Sequence, residues 1–284
     1  MILITGANGN SGRCVAEALA ARQMPFRVAL RPGGRGALPA GASGSVDFDF
    51  ADQSTWAATL DGVQGVYLLR PPAIANIKAT LAPFINAVRA AGAGPIVFLS
   101  VAGAERNPIL PHAAVERHLR AGPSDDHTIL RPIYFAQNLE DAFRADIRER
   151  GEIVLPSGAG RVAFVDLKDV GEVAALALSG RADLRGVGVT LTGPRAVTFS
   201  EVAGLIATAA GRPMRYEPVS PLTYALRLRR QGQPAMQILV QTILNTGLRF
   251  GQSEAVDPTL PRLLGRPATD IADYIRRRAE VWRT

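Results

Sequence analysis

A chain of 284 residues with 47% hydrophobic and 20% charged residues is globular and long enough to bury a sizeable core, which excludes a disordered or fibrous class. The net charge of +7 raises nucleic-acid binding, but the positive charge is almost all arginine scattered singly, and Lys78 and Lys168 are the only lysines; without zinc spacing or an RNA-binding aromatic motif, nucleic acid is not an expected partner. The single cysteine, Cys14, excludes an intramolecular disulfide and a multi-cysteine metal site, and no pair of histidines has a metal-ligand context, so no metal is expected.

The first strand, Met1–Thr5, runs straight into Gly6-Ala7-Asn8-Gly9-Asn10-Ser11-Gly12 and a helix over Ser11–Arg22. No basic-then-apolar leader precedes it, so no secretory signal is read and a cytoplasmic location is expected. Glycines at this spacing, after a strand and opening a helix, let the backbone turn tightly and approach a pyrophosphate whose charge faces the helix N-terminus. Gly6, Gly9 and Gly12 therefore mark a dinucleotide site, to which Asn8, Asn10 and Ser11 add neutral donors. Cys14, one turn into the helix, is either a thiol activated by the helix start or a small packing residue.

Strand two, Phe26–Leu30, ends in Arg31-Pro32-Gly33-Gly34-Arg35. A site for NAD usually places a carboxylate here, to accept from the ribose 2′-OH. Between Arg13 and Val46 the only acidic residue is Glu17, on the first helix. Arg31, with Arg13 and Arg35 expected beside it, instead suits a 2′-phosphate. The cofactor expected is NADP(H) rather than NAD(H).

A third strand, Gly44–Phe48, leads into Asp47-Phe48-Asp49-Phe50-Ala51-Asp52. Asp49 is placed to meet an adenine through its exocyclic amine and Phe50 by its backbone; alternatively these aspartates only cap the following helix, Ser54–Leu60. Strand four is expected over Val63–Leu69, a helix over Ala73–Ala91, strand five over Pro95–Ser100, a helix over His112–Arg120 and strand six over His127–Leu130. Short apolar strands alternating with amphipathic helices predict βαβ units, hence an α/β, Rossmann-type doubly wound parallel sheet.

Tyr-x-x-x-Lys, the acid–base pair of ordinary short-chain reductases, is absent: no tyrosine has a lysine four residues later. The helix after strand five offers His112 and Glu116 instead, which share a face. A carboxylate beside the imidazole would raise its pKa and suit it as a general acid; the plainer reading is a helix start and a surface residue, and both stand on the sequence. Ser100, closing strand five, either orients a substrate or ends a strand. His118 and His127 are read as structural.

After about Asn138 the rhythm changes. Strands are expected at Glu152–Leu155, Val162–Val165 and Val187–Leu191, helices at Lys168–Ser179 and Thr198–Ala210, and mostly helix thereafter. The arginine clusters at 227–230 and 276–278 fall in helical patterns and read as solvated faces. The division expected is a dinucleotide-binding domain over 1–138 and a smaller, mostly helical part over 139–284 that completes the fold and walls a substrate cleft as one compact unit. Tyr134, Phe135, Phe143, Tyr224 and Met236 are candidate pocket walls or core. Oligomeric state, monomer or homodimer, is left open.

Several segments resemble the NmrA-like family, the atypical short-chain dehydrogenase/reductases: residues 4–13, Leu30-Arg31, Ile129-Leu130-Arg131-Pro132-Ile133-Tyr134-Phe135-Ala136-Gln137-Asn138, Val165-Asp166-Leu167-Lys168-Asp169-Val170-Gly171 and Leu191-Thr192-Gly193-Pro194. Within that family the chain is similar to bacterial NADPH:quinone reductases and triphenylmethane reductase. The resemblance implies that Gly6, Asn8, Asn10, Ser11, Gly12 and Arg31 hold the pyrophosphate and 2′-phosphate. It also implies that Leu69 and Arg70 border the adenosine ribose, and that Ser100 and the backbone of Pro132, Tyr134 and Phe135 approach the nicotinamide. Such a reductase, lacking a strong acid, is expected to act on quinone-like or other conjugated electrophiles, whose reduced forms need little help with protonation. The family also contains redox sensors that bind a dinucleotide and act through a protein partner, and this is the alternative function.

Overall fold

The computed structural model describes residues 1–34, 37–180 and 184–283. Arg35, one of the three arginines considered for a 2′-phosphate, lies outside them. Two compact units are formed: one from residues 1–132, 167–191 and 259–266, the other from 133–166, 192–258 and 267–284.

In the first unit seven strands make one all-parallel sheet: β1 (Ile2–Thr5), β2 (Phe26–Leu30), β3 (Ala42–Asp47), β4 (Gly65–Leu69), β5 (Ile96–Leu99), β6 (His127–Pro132) and β7 (Gly188–Leu191). Their order is β7-β6-β5-β4-β1-β2-β3, so the strand order reverses between β1 and β4. This is the doubly wound Rossmann-type sheet expected from the alternation, and its switch point lies where the glycine turn follows β1. Parallel strands buried on both faces must be near-continuously apolar, as Ile2–Ile4 and Ile96–Leu99 are.

Helices α1 (Asn10–Ala21), α2 (Trp56–Leu60), α3 (Leu81–Ala90), α4 (Pro111–Arg120) and α5 (Leu167–Leu178) belong to this unit. Leu3, Val66, Leu68, Phe98 and Ile129 pack with Phe84, Ile85, Val115 and Leu119 on the α2–α4 side. On the other side α1 and α5 cross closely enough that a Cβ at Gly171 would stand 2.6 Å from the Cys14 carbonyl oxygen. Cys14 thus occupies a tight helix crossing, which favours the packing reading.

The helix expected over 73–91 begins only at Leu81. The carbonyl oxygens of Pro71, Pro72 and Ile74 turn to Arg70 Nη1 instead, and Asn76 caps a separate 3-10 turn, Ile77–Ala79, through Ala79 N–H. The single boundary expected at 138 stands beside a more interleaved path. The chain leaves the first unit at Pro132 and returns for α5 and β7, since β6 needs a parallel neighbour and α1 a covering helix.

The second unit carries three two-stranded pairings: Tyr134–Phe135 with Phe164–Val165, Arg161–Val162 with Val197–Thr198, and Glu152–Leu155 with Arg215–Pro218. Its longer helices are α6 (Phe199–Ala210), α7 (Pro221–Arg230) and α8 (Ala235–Gly247). Ile147, Ile153, Phe164, Phe199, Tyr274 and Trp282 lie in its core. Among the described residues no helix is long and apolar enough to cross a membrane.

Candidate functional site

At the carboxyl ends of β1 and β4, Thr5 ties the two strands together. Its Oγ1 donates to the Tyr67 carbonyl oxygen at 3.0 Å and accepts from Leu69 N–H at 2.8 Å. The turn that follows is built for backbone proximity. Gly6 has φ +69°, and a Cβ there would stand 2.3 Å from Leu69 Cδ2; one at Gly12 would stand 2.4 Å from the Gly6 oxygen. Gly9 N–H donates to the Gly6 oxygen at 3.0 Å, closing the loop.

Gly9 is the N-cap of α1, where no side chain caps the helix and no acidic residue occupies the first turn. Orphan N–H groups at a helix start, with glycines clearing the approach, fit a pyrophosphate. Asn8 and Gly9 are exposed, and Asn10 and Ser11 partly so.

Arg31 follows β2 directly, is exposed, and makes no ion pair among the described residues. Arg13 stays at the glycine turn, its Nη2 donating to the Asn8 oxygen at 3.5 Å. An acidic residue of the next strand stands beside the end of β2: Asp47 is paired with Leu30. Asp49 accepts from Ala51 N–H at 2.8 Å, while Asp52 accepts from Ser54 N–H at 3.0 Å and caps the turn Gln53–Thr55. The capping reading therefore holds for Asp52. The Phe50 ring is buried edge-on to Phe48, with ring centroids 4.7 Å apart.

Glu116 pulls the pKa of His112 upward as expected, but burial and Arg70 outweigh it, so the imidazole is not raised towards working pH. Glu116 is 1% exposed and faces the sheet, where Arg131 of β6 holds it with two bonds, Nε to Oε1 at 2.9 Å and Nη2 to Oε2 at 2.7 Å. Ser100 Oγ donates to the same Oε1 at 2.6 Å. Burial alone would raise the Glu116 pKa, but the bonds from Arg131 and Ser100 hold it below the usual carboxylate range. Glu105 lies 3.3 Å from Arg131 Nε, and the missing Cβ of Gly188 leaves the space its guanidinium fills.

His112 turns to Arg70 at the end of β4, whose Nε donates to its Nε2 at 3.3 Å. Its ring also lies 6.2 Å, centroid to centroid, from Phe98. Burial and the positive charge of Arg70 together bring His112 down to about 4, against a weaker opposing pull from Glu116. With Nε2 accepting, the proton of this neutral ring sits on Nδ1. Arg70 Nη1 is fixed by the carbonyl oxygens of Pro71, Pro72 and Ile74, and no carboxylate pairs with Arg70 among the described residues. His118 shares a hydrogen bond with Asn86 and His127 one with Asp126, consistent with structural roles.

In the second unit Tyr134 and Tyr224 are joined through a residue the sequence did not flag. Tyr134 Oη donates to Asn245 Oδ1 at 3.4 Å, and Asn245 Nδ2 donates to Tyr224 Oη at 3.4 Å. Burial raises both phenols, Tyr224 to about 12 with help from the Asp146 charge, so both stay protonated. Phe135 is partly buried, Phe143 lies in the core and Met236 is exposed. Pro132 ends β6, its carbonyl oxygen accepting from Ala102 N–H at 3.0 Å.

Arg131, Glu105 and Asn245 are the partners that sequence reading missed. A lone arginine inside the apolar run His127–Pro132 was the available signal, since a buried cation demands a carboxylate. A depression lined by Met1, Ile2, Arg22, Met24, Gln64 and Leu178 opens at the amino ends of β1 and β2, away from all these groups. Among the described residues no cluster of His, Cys, Asp or Glu could hold a metal ion.

Known proteins agree with this architecture. An NADPH-dependent quinone oxidoreductase of Escherichia coli, solved with NADPH, superposes with a TM-score of 0.84 at 26% identity, covering 98% of this chain and 99% of that one. The triphenylmethane reductase of Citrobacter sp., solved with NADP(H), has the same fold, with a TM-score of 0.82 at 23% identity over 98% of this chain and all of that one (100%). Prestalk A differentiation protein A of Dictyostelium discoideum is 31% identical over 237 residues, 81% of this chain and 76% of that protein. The family model described as NmrA-like matches residues 1–257, and the chain belongs to the NmrA-like family.

Proposed function

We propose that this protein is an NADP(H)-dependent reductase of quinone-like or other conjugated, electrophilic small molecules. The observation that carries the acceptor class is the state of the helix that follows β5. Glu116 is locked to Arg131 and His112 is neutral, so neither supplies an acid near neutral pH. An acceptor whose reduced form is a stabilised phenolate, or a cationic dye that becomes neutral, needs no such acid; a simple ketone does.

NADPH, when bound, supplies the hydride. The N–H groups of the α1 start and the turn of Gly6, Gly9 and Gly12 hold its pyrophosphate, with Asn8, Asn10 and Ser11 as further donors. Arg31 pairs with the 2′-phosphate. Asp49 and Phe50 meet the adenine, and Leu69 and Arg70 border the adenosine ribose. Ser100 and the backbone of Pro132 are the first unit's candidates for the nicotinamide side; within the second unit, Tyr134, Phe135 and Tyr224 are the candidate substrate contacts. The Ser100 proton is committed to Glu116, so this hydroxyl offers a ligand only its lone pairs. His112 offers a neutral Nδ1–H, and Arg70 a charge that favours negative oxygen. The likeness to the quinone reductase supports the substrate class, and the empty helix cap and unpaired Arg31 support the cofactor.

The test is turnover by the purified protein with NADPH against a panel of quinones and a cationic triphenylmethane dye. Cofactor oxidation well above background, with NADPH preferred to NADH, is expected. Tight dinucleotide binding with no turnover across the panel would overturn the enzyme reading in favour of a sensor.

A further inference from the structure

Helix α8 is inside out. Its polar residues Gln241 and Asn245 turn inward to the Tyr224 hydroxyl. Its apolar residues Met236, Leu239, Val240, Ile243 and Leu244 turn to solvent, with exposures from 46% to 71%, and Phe250 just beyond is 78% exposed. Spacings of three, four, seven and eight residues put the five on one continuous stripe of the helix. Leu222 and Leu226 are exposed on α7, which packs against α8.

The five side chains on the α8 stripe together with Phe250, exposed to this degree, present on the order of 700 Å², above the roughly 300–600 Å² of the largest patch on an ordinary monomer. That area is close to what one partner brings to a standard-size interface of about 800 Å² per side. No charged residue lies anywhere on α8. A neutral, self-complementary stripe can meet its own copy about a two-fold axis without like charges opposing each other, as an isologous contact requires. An anionic membrane would be drawn by cations on the stripe itself; α8 has none, and the exposed Arg229, Arg230 and Arg249 lie on its flanking segments.

We propose that the exposed face of α8 is the seat of a second copy of this chain, so that the protein is a homodimer paired α8 to α8. The stripe is centred near Val240, which in a two-fold pairing of either helix direction lies close to its counterpart.

Light scattering on the eluted full-length protein tests this directly. Twice the 30.1 kDa chain mass is expected at micromolar concentration, and Leu239→Glu or Ile243→Glu should each give the single-chain mass. Because these side chains are exposed, both variants should keep the far-ultraviolet circular dichroism of the parent, which separates lost pairing from lost folding. Val240→Cys in a Cys14→Ser background should form an interchain disulfide under mild oxidation. A wild-type mass of one chain at every concentration would overturn the proposal, as would a double mass that survives both glutamate variants. A monomer that floats with phosphatidylglycerol vesicles would overturn it too, and assign the face to a membrane.

Discussion

Replacing Glu116 with Gln separates a structural carboxylate from a catalytic one. Arg131 is 6% exposed and depends on Glu116 for its two short bonds, keeping otherwise, among the described residues, only Glu105 at 3.3 Å. Breaking a buried ion pair by removing one partner costs about 3–5 kcal/mol, because the other charge is left buried without compensation. Gln retains an acceptor for Ser100 and Glu105 retains part of the pairing, so about 3 kcal/mol is expected, or a melting point lower by roughly 6–10 °C for a unit of this size. Replacing both charges, as Glu116→Leu with Arg131→Met, should recover much of the loss, since apolar side chains of similar volume leave no stranded charge. The Ser100 hydroxyl then loses its acceptor, at about 1–3 kcal/mol, and the partly exposed Arg120 and Glu105 each lose a charged partner. Calorimetry or urea unfolding on Glu116→Leu, Arg131→Met and the double variant completes the cycle. The reasoning is refuted if Glu116→Gln melts like the parent while kcat falls and its pH profile changes, for then Glu116 works on the substrate.

Arg31→Ala should weaken NADPH at least about tenfold, the low end for a charge-assisted bond, and leave NADH unchanged by fluorescence titration; equal losses would remove the 2′-phosphate argument. His112 is held neutral down to about 4, so no ionisation of it should appear in kcat between about pH 5.5 and 8. Its folded pKa is depressed, so the unfolded chain binds the extra proton. Its share of stability is therefore complete above about pH 6.5 and falls as acid approaches pH 4, by at most about 3 kcal/mol, a slope that His112→Gln should abolish. Gly171→Ala should cost about 1–3 kcal/mol by forcing α1 and α5 apart, read as a lower melting point. Gly12→Ala should instead abolish dinucleotide binding, because the added Cβ meets backbone 2.4 Å away.

Local signals were the legible ones. The turn from Gly6 to Gly12 announces itself because glycine spacing, strand and helix are all contiguous in sequence. Strand β2 falls at Phe26–Leu30 as read, since an apolar run bounded by Pro25 and Pro32 leaves little choice. The partners of the catalytic candidates were not legible, because they lie across space. A spacing of four puts His112 and Glu116 on related positions of one helix, but says nothing about Arg131 on a neighbouring strand or Arg70 on another. Tyr134 and Tyr224 were both flagged as pocket residues, yet only the fold shows Asn245 between them. Two-residue strands such as Tyr134–Phe135 carry too little pattern to register at all.

The interleaved path also dictates when this protein can fold as it is made. A ribosome that has released residues 1–138 has delivered six of the seven sheet strands. The β6 edge is still open, and the α1 side of the sheet lacks α5. An open parallel edge beside an uncovered apolar face is a template for wrong pairings. The nascent chain must carry that hazard until Leu191 has emerged, and the last piece of the same unit, Thr259–Arg266, arrives only near the end of synthesis. Cutting the gene after residue 138 would make the hazard permanent, so the amino-terminal half expressed alone should aggregate rather than bind a nucleotide.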